Sequence, residues 1–197
     1  MGMISKALEN RLIAQAKAGD GDAIAALIRS HQDALFAFIL RMSQRPDVAE
    51  DIVQEAFVRV LKNIDRFDER FRFSTWLFTI ARRLYVNAAQ KRRPAYDSDM
   101  VAASEGKAKT PAGLNSRCES LENARDVIDS ALSCLSEQQR EIILLFHQQN
   151  WPITEIANHL NMPEGTVKSH LHRARKRMRR TIEANRTMTR HVEEILG

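Results

Sequence analysis

The amino-acid sequence predicts an all-α fold: two small helical domains joined by a flexible linker, the C-terminal one containing a helix-turn-helix. Three observations predict it. Apolar residues recur at a 3.6-residue period over several long segments, with only 7 Gly and 5 Pro among 197 residues to interrupt them. Residues 94–120 are punctuated by Pro94, Ser98, Ser104, Gly106, Thr110, Pro111, Gly113 and Ser116 and hold few large apolar side chains, so they cannot offset the entropy of forming a core. A short helix, a tight turn and a long basic helix follow one another near the C-terminus. The expected division is therefore an N-terminal domain 1–93, a linker 94–120, a C-terminal domain 121–182 and a tail 183–197, the tail open to a short helix, a regulator contact or a disordered end, the last preferred. At 44% hydrophobic and 28% charged residues, the chain is not wholly disordered, collagen-like or mucin-like.

The first expected helix covers about 22–43 and turns Ile24, Leu27, Ile28, Leu35, Phe38, Ile39 and Met42 toward a core. Pro46 interrupts the chain, and Asp47 is placed to cap the second helix, which runs to about Ile64. Its apolar positions are Ile52, Val53, Ala56, Phe57, Val60, Leu61 and Ile64; Asp51, Gln54, Glu55 and Val58 fall on the opposite side. A third helix starts near Ser74 and ends near Gln90. It is expected to bury Leu77, Ile80, Ala81, Leu84 and Ala88 and to carry Trp76, Thr79, Arg83 and Asn87 on its other face.

In the C-terminal half, Leu121, Ile128, Leu132 and Leu135 make one amphipathic stripe. Ser136 with Gln139 is a capping-box pattern opening a helix from Glu137 to about Gln148. After Trp151-Pro152 comes a short helix from Thr154 to Leu160. The turn Asn161-Met162-Pro163 leads to a longer one from Glu164 to about Arg180.

Charge is distributed unevenly. The formal net charge is +5, but Asp47 to Glu69 carries 7 acids against 3 bases. Arg70 to Arg93 carries 7 bases and no acid, and so does Gly165 to Ile182. Two basic stretches on two domains suit a long polyanion, most simply duplex DNA. From charge alone, two solvated helix faces would read the same way.

The angular arrangement of the last helix favours DNA. At about 100° per residue from Val167, the residues Val167, Leu171, Ala174 and Met178 cluster on one side. Ser169, His172, Arg173, Lys176 and Arg180 cluster directly opposite, as one polar, cationic face. A major groove admits a helix presenting such a face: Arg can donate bidentately to guanine, while Ser, Lys and Thr166 at the helix start can hold phosphates. The first basic stretch differs. Phe71, Phe73, Trp76, Phe78 and Tyr85 are interleaved with Arg70, Arg72, Arg82 and Arg83, an aromatic–cation mixture suited to unpaired bases. Phe78 reads as core, whereas Trp76 fits a core or a stacking role equally. Lys91, Arg92 and Arg93 at the helix end suit phosphates.

These motifs together resemble the bacterial RNA polymerase sigma factors, specifically their small extracytoplasmic-function (ECF) branch, over about residues 8–182. Three segments carry the resemblance. Ala49-Glu50-Asp51-Ile52-Val53-Gln54-Glu55-Ala56-Phe57 is similar to the segment that grips the clamp helices of core RNA polymerase. Phe73-Ser74-Thr75-Trp76-Leu77-Phe78-Thr79-Ile80-Ala81-Arg82 is similar to the segment that recognises and opens the −10 promoter element. Ile153 to Ala157 and Met162 to Arg175 are similar to the helix-turn-helix that reads the −35 element.

The resemblance implies core RNA polymerase and promoter DNA as partners, an anti-sigma factor as a further one, and transcription initiation without catalysis by the chain itself. It implies polymerase binding by Asp51, Gln54 and Glu55. It implies −10 contacts from Trp76, Arg82, Arg83, Asn87, Lys91 and Arg92, and −35 contacts from Lys168, Ser169, His172 and Arg173, to which the helix start and cationic face add Thr166 and Lys176. Three positions depart from the family pattern: many members have Asn where Arg83 stands, often an acid where Asn87 stands, and often another residue type where His172 stands. The first two bear on which −10 sequence is preferred and the third on the −35 sequence.

Other chemistry finds no pattern. There is no G-x-x-x-x-G-K-[ST] or G-x-G-x-x-G phosphate loop. His170 and His172 point in different directions on a helix, and with Cys118 and Cys134 they match no zinc spacing, so no metal or cofactor is expected. Two cysteines outside any C-x-x-C, no signal-peptide apolar core in Met1 to Asp20, and no apolar run near the ~18 residues of a membrane span lead to an expected cytoplasmic protein without membrane insertion. Two other readings compete: a stand-alone helix-turn-helix regulator acting as a dimer on operators, and a polymerase-binding decoy without promoter specificity. The first leaves the Asp51-Gln54-Glu55 face and the aromatic–Arg stretch unexplained.

Overall fold

The computed structural model describes residues 5–92 and 126–196, with side chains for 5–91 and 126–184. The 94–120 linker, Leu121, Cys118 and the side chain of Arg92 lie outside the described residues. Every regular element among the described residues is helical.

Helix α1 (Lys6–Lys17) has no counterpart in the periodicity reading. Its inward face is Glu9, Ile13 and Ala16. The inward carboxylate breaks the apolar pattern, and it is tolerated because His31 Nε2 lies 3.1 Å from Glu9 Oε1. The chain turns away just past the helix at Gly19, whose φ of +85° lies in the left-handed region open to glycine.

Helix α2 (Gly21–Ser43) starts at Asp20, whose carboxylate accepts from the backbone N–H groups of Asp22 and Ala23. By length and composition it could cross a membrane, contrary to the expectation that no segment comes close. The fold gives it another role: Leu27, Leu35, Phe38, Ile39 and Met42 are buried where it packs on α1, α3 and α4.

Helix α3 (Pro46–Lys62) begins at Pro46 itself, a residue preset for the first helical turn. Asp47 is therefore not the cap; it sits inside the first turn, ion-paired with Arg45. The helix stops at Lys62, and Ile64–Arg66 forms a separate 3₁₀ turn. The expected inward positions Ile52, Val53, Ala56, Phe57 and Val60 are buried, and Asp51, Gln54, Glu55 and Val58 are exposed. Helix α4 (Phe73–Arg92) buries Phe73, Leu77, Phe78 and Ala81. Its second half is less enclosed than the stripe predicts, because Ile80, Leu84 and Ala88 are only half-buried.

In the C-terminal half, α5 (126–133) buries Leu132, while Ile128 stays exposed rather than joining the stripe; Leu135 is buried just beyond the helix. Helix α6 (Glu137–Ile143) opens with the expected reciprocal Ser136–Gln139 capping box and widens into a π-helical turn over Leu144–Gln148. Helix α7 (Ile153–Leu160) ends at Asn161 with φ of 52°. That left-handed residue makes the tight turn into α8 (Glu164–Leu196).

Helix α8 is far longer than the sequence reading. The backbone of the tail from Glu183, expected as a disordered end, continues as helix to Leu196. The signal missed there is negative: no Pro or Gly stands between Thr166 and Leu196 to stop a helix.

Candidate nucleic-acid interface

The reading helix α8 is fixed from below. Val167, Leu171 and Ala174 are fully or almost fully buried and Met178 is half-buried, in contact with α6 and α7. That anchoring turns Lys168, Ser169, His172, Arg173 and Lys176 into solvent together, while Thr166 is half-buried at the first turn. Arg173 and Lys176 make no ion pair among the described residues. Lys168 lies 3.8 Å from Glu164, one turn back. Arg175 is diverted from this face. Its guanidinium lies 5.1 Å from the Phe146 ring centre, and its Nε donates to His147 Nε2 at 3.2 Å. Burial, then the Arg175 charge, holds the His147 imidazole below its ordinary pKa.

Along α4 the expected −10 residues separate into two groups. Arg83, Asn87 and Lys91 are exposed. Trp76 is half-buried in an aromatic cluster, its ring centre 5.1 Å from Phe67 and 6.0 Å from Phe73, which favours the core role over stacking. Arg82 is not free either: its Nε donates to Glu141 Oε1 of α6 at 2.5 Å. Tyr85 donates to the Met42 carbonyl, and burial with the nearby Glu137 carboxylate pushes its phenol up to about 12.

The ring that is bare is Phe71, 62% exposed in the loop before α4. Its neighbours are Arg70, held by Asp68, and Arg72. The sequence reading placed Phe71 in the aromatic–Arg stretch without singling it out. Its position outside the helix, between two arginines, is the signal that marks it.

The acidic set lies close to the distal part of α4. Asp51 and Glu55 line one groove of about 570 Å³ with Arg59, Asn87 and Lys91. Gln54 is exposed on the same helix but does not line it. Glu55 accepts from Arg59 at 2.6 Å, an exposed pair one turn apart that a partner's cation can displace at little cost.

Comparison with known proteins decides the family. Residues 27–94 match the family description "Sigma-70 region 2", and residues 125–178 match "Sigma-70, region 4". ECF RNA polymerase sigma factor SigW of Bacillus subtilis is 36% identical over 177 residues, covering 86% of this chain and 94% of SigW. This chain belongs to the ECF RNA polymerase sigma factors. ECF sigma-E of Escherichia coli K12 is 30% identical over 171 residues, covering 84% of this chain and 89% of its own length.

Among solved structures, CnrH in complex with the cytosolic domain of CnrY matches with a TM-score of 0.65 at 25% identity, over 90% of this chain and 98% of CnrH. RpoE in complex with the anti-sigma factor NepR from Bartonella quintana matches with 0.62 at 25% identity, over 81% and 96%. As an ECF sigma factor, the chain binds core RNA polymerase and promoter DNA and directs promoter-specific transcription initiation. The matched pair of regions, in this order, favours that function over a stand-alone regulator.

Proposed function

We propose that the two parts of this sigma factor divide the work residue by residue. In residues 1–93, the exposed Asp51, Gln54 and Glu55 meet cationic groups of core polymerase. Arg83, Asn87 and Lys91, with Arg82 and Arg92, track the −10 DNA. Phe71 takes the stacking role for an unpaired base, and Trp76 braces the aromatic cluster behind it. In residues 121–182, Thr166, Lys168, Ser169, His172, Arg173 and Lys176 read the −35 element. The observation that carries this assignment is the geometry of α8: a buried Val167-Leu171-Ala174 stripe with the cationic residues exposed opposite.

The chain works in the cytoplasm and catalyses nothing itself; nucleotide addition belongs to the polymerase. An anti-sigma factor is a third partner, by analogy with RpoE, which was solved with NepR.

Promoter-directed transcription with core polymerase is the direct test. Reversing both carboxylates, Asp51→Lys with Glu55→Lys, should weaken polymerase capture by about 2–5 kcal/mol and abolish promoter-directed starts. DNA contacts through α8 should persist. Undiminished capture by the double variant would move the polymerase site elsewhere.

A further inference from the structure

Helix α1 meets the loop that carries Phe71 at two places. At the foot of the loop, Phe67 and Phe73 are buried with ring centres 5.7 Å apart. The His31 ring meets Phe73 edge-on at 5.2 Å, and Glu9 of α1 holds that imidazole. Nearer the tip, Lys17 in the last turn of α1 reaches across. Its Nζ donates to the Phe67 carbonyl at 3.4 Å and to Glu69 Oε1 at 3.0 Å.

The loop has little else to aim it. Residues 68–71 close on themselves. The Phe71 N–H donates to the Asp68 carbonyl at 3.1 Å, and the Asp68 carboxylate accepts from the Arg70 N–H at 3.0 Å and from the Arg70 guanidinium. These bonds set the shape of the turn but not its direction. Among the described residues, Lys17 makes the only hydrogen bond or ion pair between residues 68–71 and another element. An exposed ion pair contributes little to stability by itself. The Lys17 side chain, however, is only 26% exposed, and its ammonium bridges a carbonyl and a carboxylate two residues apart. What it fixes is an orientation. A ring already held in place loses less freedom when a base arrives on it.

We propose that Lys17 is a positioning residue for −10 recognition. Through its tie to Glu69 and the Phe67 carbonyl, α1 holds the 68–71 turn so that the Phe71 ring is presented to an unpaired base. Lys17 acts through the loop and not on DNA. This inference rests on the assignment of Phe71 as the stacking residue.

The experiment uses holoenzyme assembled from core polymerase and each full-length variant. The probe is a labelled single-stranded oligonucleotide, the non-template strand across the −10 element of a promoter whose start the wild-type holoenzyme defines. Lys17→Met keeps the aliphatic stem and removes the ammonium. It should weaken probe binding about five-fold, the size expected from freeing one interface segment, and leave polymerase capture and −35 duplex binding unchanged. Lys17→Arg should restore the affinity. In a Phe71→Ala background, Lys17→Met should cost nothing further, because no ring is left to position. Glu69→Ala separates positioning from direct contact. If Lys17 held a phosphate itself, loss of the neighbouring acid would strengthen binding; as a tie, its loss weakens binding.

Undiminished affinity in Lys17→Met, no rescue by Lys17→Arg, losses that add to that of Phe71→Ala, or tighter binding by Glu69→Ala each overturn the inference. A Phe71→Ala holoenzyme that binds the probe as wild type removes the Phe71 reading and the inference with it. A weakened Phe71→Ala beside an unchanged Lys17→Met removes the tie alone. If circular dichroism shows Lys17→Met unfolded, Glu69→Ala takes its place in the same cycle with Phe71→Ala.

Discussion

The two basic stretches carry equal charge, seven Lys or Arg and no acid each, yet the fold treats them differently. In α8 the stripe Val167-Leu171-Ala174 faces inward, and Arg173 and Lys176 are left bare. Along the loop before α4 and α4 itself, acids reach the cations: Asp68 holds Arg70 from two residues away, and from distant segments Glu155 approaches Arg72 and Glu141 binds Arg82. A cationic face is thus a property of the assembled molecule. Local charge says where cations are, and packing says which of them can reach a ligand.

The largest expected effect comes from breaking the side of this comparison that is packed. Phe78→Ala removes a ring set against both Phe38 and Trp151 and should cost about 3–5 kcal/mol in urea unfolding. Because Trp151 loses its Phe78 contact and keeps only His159 as a ring neighbour among the described residues, its fluorescence should shift to the red before the N-terminal helices unfold. Coincident transitions would mean that the two halves do not separate as units.

Next come the two bare contacts. Phe71→Ala should weaken polymerase-bound sigma on single-stranded −10 DNA by about 1–3 kcal/mol and leave −35 preference intact. Arg173→Ala should cost about 1–3 kcal/mol on duplex and relax one −35 position, leaving the −10 preference intact. The two losses should add, since each variant truncates an exposed side chain on a different element. If Arg173→Ala leaves promoter use unaltered, the reading face of α8 lies elsewhere on the helix.

The smallest effect is a pH dependence peculiar to the α6–α8 side. His147 has a lowered pKa in the folded protein, so the unfolded chain binds its proton more readily. Stability from this group is complete above its ordinary value of about 6.5 and is lost as pH falls from there toward the lowered folded value. The melting temperature should drop slightly from pH 7.5 to pH 5.5, and His147→Gln should remove that part of the drop. An unchanged pH slope in His147→Gln would assign it to other groups.

Much of this protein is written locally. Five of its helices follow from apolar periodicity, and the α6 start follows from Ser136 and Gln139, because a helix repeats every 3.6 residues along the chain itself. The exposed sets Asp51-Gln54-Glu55 and Ser169-His172-Arg173-Lys176 were legible for the same reason: each is the back of a buried stripe. Helix α1 was not, since its inward Glu9 is acceptable only beside His31, 22 residues away. The fate of Arg82, Thr79 and Trp76 was equally hidden. Arg82 and Glu141 are 59 residues apart, Thr79 and His159 are 80 apart, and Phe71 rather than Trp76 is the bare ring. Sequence alone determined which residues share a helix face. Only the tertiary structure decided which of those faces stay open, because burial and ion pairing depend on what distant segments bring to the same place.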